Sequence, residues 1–458
     1  MAVKSKQMLK IYRREVKEQV DSVSAYESLE GSYKVFLEFP DQKGGTQTII
    51  GLNPYLQIRS SQNEIEVIKE GEVTRTTGNP LQKLKELIAG HHSDQTEIAK
   101  GIGYFGYDFI RSAENIGPEK INDLNTYDLN FLFHSHYLMI QQDGTAEYCL
   151  VDYEGSLTEE QADHILNEQA AKLEALLQVE KTEDFKISGF VSETGKEQFE
   201  EAVRRLKAHI LEGDIFQAVL SHRFNSSFTG DPFQFFKKLR IYNKSMYRYY
   251  MDFETYQIAG SSPERLITVK ENKILSNPIA GTRRRGESPV RDLELENELL
   301  NDEKERAEHY MLVDLARNDL GKVSKPSTVK VTKLMEIEKY INVMHLVSDV
   351  EGMLDEQVHF LDTVASSLPA GTVSGAPKIK AMQLINEIEK TRRGIYGGGI
   401  GYFTHGGSLD LALTIRTMIF TENKAYLQAG AGIVHDSVPE SEWNETLFKA
   451  NGLLEALK

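Results

Sequence analysis

The sequence predicts a mixed α/β protein, on three observations. Residues 34–59 and 104–151 are rich in β-branched and aromatic residues broken by turn signals, the pattern of strands. Residues 83–98 and 157–180 read as helices, the second dense in Glu, Gln, Ala and Leu. From Ser192 to Lys458, helical and strand patterns alternate. A chain of 458 residues can form several small domains or one large α/β unit with its own core.

In chain order, residues 1–25 read as a polar helical leader. The strands between Lys34 and Arg59 are punctuated by turns expected at Lys43-Gly44-Gly45 and Gly51-Leu52-Asn53-Pro54. Residues 179–184 read as a linker, dividing residues 1–180 from residues 190–458. Two helices beyond it matter for function. One is expected from Leu293 to Arg317, with Asn318-Asp319-Leu320-Gly321 as stop residues. The other is C-terminal and opens with Ser437-Val438-Pro439-Glu440, the Ser-x-x-Glu pattern of a capping box with proline in the first turn. No internal repeat or low-complexity tract interrupts the chain.

Composition narrows the function. Hydrophobic residues make up 40% and charged residues 27%, as in soluble globular proteins. No run of about 18 apolar residues exists to span a membrane. The stretch from Met1 to Arg14 is basic without an apolar core, so no secretory signal is expected, and a cytoplasmic location is. The only cysteine, Cys149, excludes an intrachain disulfide and a cysteine metal cluster. A net charge of −16 argues against nucleic acid as the main partner. It also means that an anionic substrate would need local arginines, lysines, helix N-termini or a metal.

Several motifs invite readings that the context rejects. Gly101-Ile-Gly103-Tyr-Phe-Gly106 matches a dinucleotide fingerprint, but it follows a helix and lacks the glycine-to-helix turn, so tight strand packing explains it better. The stretch from Gly371 to Lys378 has the wrong spacing for a phosphate loop, though a glycine-rich turn opening a helix still offers backbone N–H groups. Arg283-Arg284-Arg285 reads as a local carboxylate binder or a solvated turn. His91-His92 reads as surface. Two carboxylate pairs are more informative. Glu305 and Glu308 share one helix face, and Glu442 and Glu445 repeat the spacing on the C-terminal helix, with Lys449 four residues on. Such a pair is most often a solvated face, but two together could offer oxygen ligands to Mg²⁺. Spacing alone does not bring the two helices together.

The longer motifs carry a resemblance. They include Gly213-Asp-Ile-Phe-Gln-Ala-Val-Leu-Ser221, Gly260-Ser-Ser-Pro-Glu264, Pro278-Ile-Ala-Gly-Thr282 and Asp302-Glu-Lys-Glu-Arg-Ala-Glu-His309. They continue through Leu312 to Asp319, Val343-Met-His345, Pro369 to Lys378, Gln428 to Val434 and Asp436 to Glu440. In this order they resemble the chorismate-utilising enzymes, most closely the anthranilate synthase component I family. The likeness covers nearly everything from Ser192 onward. Before that it is thinner, carried by residues 50–54 and 103–107.

The resemblance implies a sandwich of antiparallel sheets flanked by helices, with the active site between the sheets. It makes residues 1–180 a regulatory-type portion and residues 190–458 the chorismate-binding portion, the two interleaving. It implies Mg²⁺ held by Glu308 and Glu445, with Glu305 and Glu442 on metal-bound waters. Tyr396, Arg416 and the Gly430-Ala431-Gly432 backbone fall on carboxylate-binding positions, with Lys449 near them. Gly281 and Thr282 fall on further substrate contacts. Glu264 would be the general acid for the C4 hydroxyl, since a carboxyl in a dry site stays protonated near neutrality. His345, by itself a satisfied strand histidine, matches a residue tied to loss of the enolpyruvyl group. The implied activity makes anthranilate and pyruvate from chorismate and ammonia, for tryptophan synthesis.

A glutamine amidotransferase subunit, and hence a hetero-oligomer, follows as the expected ammonia source, because Cys149 has no glycine elbow. In the family's tryptophan pocket the corresponding residues are Phe39, Asn243, Ser245 and Tyr247. Phe39 stands where that pocket has serine, and both loop prolines are gone, so feedback is expected to be weakened. Three rival readings fit the residues less well. Aminodeoxychorismate synthase component I often has lysine where this chain has Ala280, and its wording differs from residues 370–375. Isochorismate and salicylate synthases have a lysine base where this chain has Gln217. An inactive tryptophan-binding scaffold would not keep the whole catalytic set.

Overall fold

The computed structural model describes residues 7–41, 44–92, 98–176, 184–340 and 343–454. Apart from a short parallel pair at residues 7–8 and 91–92, its strands join in one connected antiparallel network. Two long strands, Thr46–Ser61 and Leu129–Gln141, pair almost end to end and belong to two sheets at once. Their partnership at residues 47–52 and 136–141 continues into a first sheet. There Leu129–Gln141 pairs with Ala146–Asp152, which in turn pairs with Lys10–Val16. On the other side, Thr46–Ser61 pairs with Val35–Pro40, followed by Tyr247–Asp252, Gln257–Ser262, Thr417–Thr421, Lys424–Ile433 and Gln217–Thr229.

At its other end, Leu129–Gln141 pairs with Lys100–Phe105 and starts the second sheet. That sheet continues through Gly399–Thr404, Leu409–Leu413, Arg265–Lys270, Lys273–Ser276 and Val343–Met353. Ile279–Arg284 and Lys330–Lys339 flank Val343–Met353. The sandwich of antiparallel sheets with flanking helices is therefore present. Strands of the first 180 residues pair with strands beyond residue 190 in both sheets.

Burial on both faces explains the unbroken apolar runs. In Val35–Pro40, Val35, Leu37 and Phe39 join the core built from both sheets, with Phe131, Tyr249, Phe403 and Leu411. Phe36 points the other way. It joins a second core of Tyr26, Phe224, Phe233 and Leu453, where the first sheet meets its covering helices. The period of two sends alternate side chains into different cores. Gly103 sits where two strands nearly touch, since a Cβ there would lie 1.9 Å from the Asn130 carbonyl. The Gly101–Gly106 pattern is thus a strand-packing device, as its context implied.

Several sequence expectations are corrected. Within the leader, residues 10–16 form an edge strand on Ala146–Asp152, and only Ser22–Ser28 is helical. The ladder supplies hydrogen bonds that a short polar helix lacks. Residues 51–54 lie inside Thr46–Ser61. Asn53 takes φ +52° and the register slips between Pro54 and Leu56, so the turn signal marks a bulge. The helix expected over 83–98 runs over Pro80–Ala89, capped by the Asn79 side chain. The helix expected from Leu293 is two, Pro289–Asn301 and Glu303–Gly321, because Asp302 leaves the helical conformation and its carboxylate caps Lys304 and Glu305. Ser437 and Glu440 do not form a capping box. The Ser437 hydroxyl accepts from Val434 N–H at 3.0 Å, and Glu440 pairs with Lys196 at 2.7 Å. His91 is half-buried against Tyr153 and His405. Residues 179–183 of the expected linker lie outside the described residues.

Candidate active site

Glu264 follows Gln257–Ser262 and opens Arg265–Lys270, so it stands where one strand leaves the first sheet and the next enters the second. Thr372 donates to Glu264 Oε1 at 2.7 Å from the short turn Gly371–Val373. Burial pushes the Glu264 carboxyl up to about 7, against the pull of that bond and of Arg416 and Lys449. A carboxyl with such a value exchanges protons near neutrality, as a general acid needs.

Arg416 and Lys449 lie near enough to act on the charge of Glu264. Arg416 presents surface to solvent yet lies deep enough that desolvation weakens its charge, partly offset by Glu264. Tyr396 is pushed up to about 12, mainly by burial, with Glu264 among the carboxylates acting on it. Its hydroxyl lies beside Gly430, 2.9 Å from where a Cβ would stand. Gly430, Ala431 and Gly432 belong to Lys424–Ile433, in register with Ser221, Leu220 and Val219. A side chain at 432 would press on the Gln217 amide at 2.6 Å, so Gln217 also faces this site. Lys449 donates to the Gly430 carbonyl at 2.9 Å and pairs with Glu445 at 2.7 Å.

His345 lies on Val343–Met353, opposite Thr282. Its Nδ1 is 2.9 Å from the Gly281 carbonyl and 3.1 Å from the Thr282 hydroxyl. A carbonyl only accepts, so a neutral His345 carries its proton on Nδ1 and leaves Nε2 as a base. Burial pulls its value down and Arg416 adds to this, against the Gly281 carbonyl and Glu338, which favours the neutral ring. Gly281 takes φ +65° at a bulge, a conformation that would strain a β-carbon.

The two carboxylate pairs feel each other's charge. Glu308 is pushed up by burial, with Glu305, Glu445 and Asp302 adding to it and Lys304 opposing. Glu442 is pushed up by burial too, and it feels Lys304 from the other helix. Lys304 stands 3.8 Å from Glu308. Glu305 pairs with Arg283 at 3.2 Å and lies beside Gly281. Carboxylates on two helices within reach of each other's charge, offering only oxygen donors, suit a hard divalent cation. Among the described residues, the one set of three ligand groups already within reach of a common point is elsewhere, at His209, Glu212 and Asp214, where His209 pairs with Asp214 at 2.8 Å.

Contacts and charge effects thus link Glu264 with Thr372, Tyr396, Arg416 and Lys449, Lys449 with Gly430 and Glu445, His345 with Gly281, Thr282 and Arg416, Glu308 with Glu305 and Glu445, and Glu442 with Glu445. Phe39, Asn243, Ser245 and Tyr247 form a separate cluster. Phe39 packs edge-on to Tyr247 at 4.7 Å, and Ser245 donates to the Asn243 side chain at 2.8 Å. Arginines 283 and 285 bind Asp302 and Asp292, both at 2.8 Å, as local carboxylate binders. Sequence reasoning missed Thr372 as the partner of Glu264, and Arg393, whose guanidinium lies 5.7 Å from the Tyr396 ring centre. Thr372 lay inside a quoted motif, whereas nothing marked Arg393.

A family profile described as chorismate binding enzyme matches residues 34–455. The chain is 40% identical over 446 residues to anthranilate synthase component 1 of Aquifex aeolicus (strain VF5), covering 93% of this chain and 90% of that one. It is 41% identical over 444 residues to the component 1 protein of Lactococcus lactis subsp. lactis (strain IL1403), covering 94% and 96%. The crystal structure of anthranilate synthase component I from Streptococcus pneumoniae TIGR4 superposes with a TM-score of 0.79 at 38% identity, covering 96% of this chain and 99% of that one. The menaquinone-specific isochorismate synthase of Escherichia coli shares the fold, with a TM-score of 0.77 at 19% identity, covering 99% and 95%. With a profile match over residues 34–455 and relatives at about 40% identity over most of its length, the chain belongs to the chorismate binding enzyme family, among the anthranilate synthase component 1 proteins.

Proposed function

We propose that this chain is the chorismate-converting subunit of an anthranilate synthase, turning chorismate and ammonia into anthranilate, pyruvate and water. The observation that carries the reading is Glu264, a carboxyl held up to about 7 inside a cleft that also contains Arg416 and Lys449. Arg416, Tyr396 and the N–H groups of the Gly430–Gly432 strand bind the two substrate carboxylates. Gly281 and Thr282 border the ring. This local donor set offsets the chain's overall negative charge. Glu264 gives its proton to the departing C4 hydroxyl, which leaves as water while ammonia bonds at C2. His345 Nε2 then takes the C2 proton. The bond from the ring to the enolpyruvyl oxygen breaks, the released enolate takes up a proton at its methylene carbon to become pyruvate, and the ring becomes aromatic.

Glu308 and Glu445 would hold Mg²⁺ directly, and Glu305 and Glu442 would hold its waters. The ion, when bound, supplies positive charge that neutralises a substrate carboxylate. Ammonia comes from a separate glutamine amidotransferase subunit. The portion before residue 180, with Phe39 beside Asn243, Ser245 and Tyr247, is assigned the regulatory role. No helix among the described residues is long and apolar enough to cross a membrane, and a cytoplasmic enzyme fits that.

Ala280 and Gln217 favour this reading over aminodeoxychorismate or isochorismate formation, because neither can act as a lysine nucleophile or base. The test is incubation of the pure chain with chorismate, ammonium and Mg²⁺, followed by identification of the product. Anthranilate with equimolar pyruvate is expected. Aminodeoxychorismate or isochorismate as the main product would overturn the assignment.

A further inference from the structure

The reaction described above makes no use of the most deeply buried ion pair beside the site. Arg393 is 3% exposed, and its Nε and Nη2 donate to the two Glu389 oxygens at 2.8 and 2.6 Å. Burying two charges is costly unless geometry is good and the remaining donors are satisfied. Here each guanidinium nitrogen has a partner, and the partners are particular ones. Nη1 donates to the Val373 carbonyl at 2.6 Å, and Nη2 to the Val219 carbonyl at 2.7 Å. The guanidinium lies over Tyr107 at 4.6 Å and near Tyr396 at 5.7 Å. Glu389 Oε1 accepts from both the backbone N–H and the hydroxyl of Ser221, each at 2.9 Å.

Four of these ties end at residues that adjoin the proposed site. Val373 follows Thr372, whose hydroxyl holds Glu264. Val219 and Ser221 are the register partners of Gly432 and Gly430. Tyr396 is itself a site residue. We propose that the Arg393–Glu389 pair is a positioning element that fixes the general-acid turn, the glycine strand and Tyr396 in one relation. The inference rests on the reading of this cleft as the chorismate site. Neither residue need touch substrate. The pair sets where three substrate-contacting groups stand, and sub-ångström misplacement of such groups is expensive in rate. A lysine at 393 keeps the charge but cannot make the planar two-pronged contact while also reaching two carbonyls.

The experiment uses the full chain with ammonium, chorismate and Mg²⁺, and compares Arg393→Lys, Arg393→Met and Glu389→Gln. For each, thermal stability, chorismate KM, kcat and the alkaline limb of kcat/KM are measured. The expected result in folded variants is a chorismate KM raised about tenfold or more. The alkaline limb should also move to higher pH, because Thr372 provides one of the forces lowering the Glu264 value, the others facing it being Arg416 and Lys449. Thr372→Val serves as the reference for that limb shift. If Arg393→Met does not fold, the nearly isosteric Glu389→Gln carries the same expectations. Variants with lowered thermal stability but wild-type KM and limb would overturn the inference and leave a purely structural ion pair. A wild-type chain that makes no anthranilate would overturn the functional reading, and this inference with it.

Discussion

Thr372 holds Glu264 by a 2.7 Å hydrogen bond, yet the bond does not keep that carboxyl ionised. Burial outweighs it, together with the pull of Arg416 and Lys449, and the carboxyl stays protonated up to about 7. The arrangement separates two jobs. The hydroxyl aims the carboxyl, and the surrounding protein keeps its proton on.

The pH profile should show this. A general acid must be protonated, so kcat/KM should fall as pH rises through about 7. Glu264→Gln should lose roughly 10²- to 10⁴-fold in kcat. Its stability should move the other way. The folded chain keeps the proton that the unfolded chain has lost, so Glu264 lowers stability progressively between its ordinary value and about 7. Above that window the glutamine variant should be more stable by on the order of 1–3 kcal/mol. An unchanged melting temperature at pH 8 would count against a buried acid.

Glu308 and Glu445 should govern the response to Mg²⁺. In the absence of substrate, Mg²⁺ at about a hundred times its dissociation constant should add about 2.7 kcal/mol of stability. That gain should vanish in Glu308→Gln and Glu445→Gln, along with orders of magnitude in rate. Full activity of both variants in EDTA would refute the assignment.

His345→Ala should stall the reaction after amination. Its Nδ1 is engaged by the Gly281 carbonyl at 2.9 Å, so Nε2 is the nitrogen left for the C2 proton. Aminodeoxyisochorismate should accumulate while anthranilate falls. Product analysis that finds only unreacted chorismate would move His345 to an earlier step.

Glutamine should not support turnover by the pure chain. Cys149 is fully buried on Ala146–Asp152, and burial, with Glu147 adding, pushes its thiol up to about 12. A thiol in that state is no nucleophile. Ammonium at raised pH should work, and glutamine should work only after an amidotransferase subunit is added. Glutamine-dependent anthranilate formation by this chain alone would contradict both expectations.

Tryptophan should inhibit weakly. Phe39 is 1% exposed and fills the space against Tyr247 and Tyr402, and Asn243 is occupied by Ser245. A ligand ammonium would miss the hydroxyl that serine would offer, a loss of roughly 1.5–3 kcal/mol. Inhibition of the ammonia-dependent reaction at low micromolar tryptophan would show a working pocket instead.

Legibility in the sequence followed the range of each interaction. Glu305, Glu308, Glu442 and Glu445 were visible as local spacing, because three residues span one helix face. That Glu308 feels Glu445 was not visible, because it depends on two helices brought together by the whole fold. The Asp302 break was missed for a related reason: a carboxylate cap can end one helix and start the next without any glycine or proline. Residues 10–16 looked helical because they are polar, and a half-covered edge strand tolerates polar residues when its partner supplies the ladder. Arg393 lies four residues after Glu389, a spacing common on any polar segment, and the carbonyls that give it its place lie far off at positions 219 and 373.

The pairing of Lys100–Phe105 with Gly399–Thr404 sets a schedule for the chain's birth. One side of that strand is taken by Leu129–Gln141 soon after it emerges from the ribosome. The other side waits for about 300 more residues, roughly 15–60 s at bacterial or eukaryotic translation speeds. Gln217–Thr229 waits similarly for Lys424–Ile433. Throughout that interval the nascent chain exposes unpaired strand edges, the usual seeds of aggregation. Truncated products ending before residue 399 should therefore need chaperone protection or be degraded, and high-yield production should favour slow, cool expression of the intact chain.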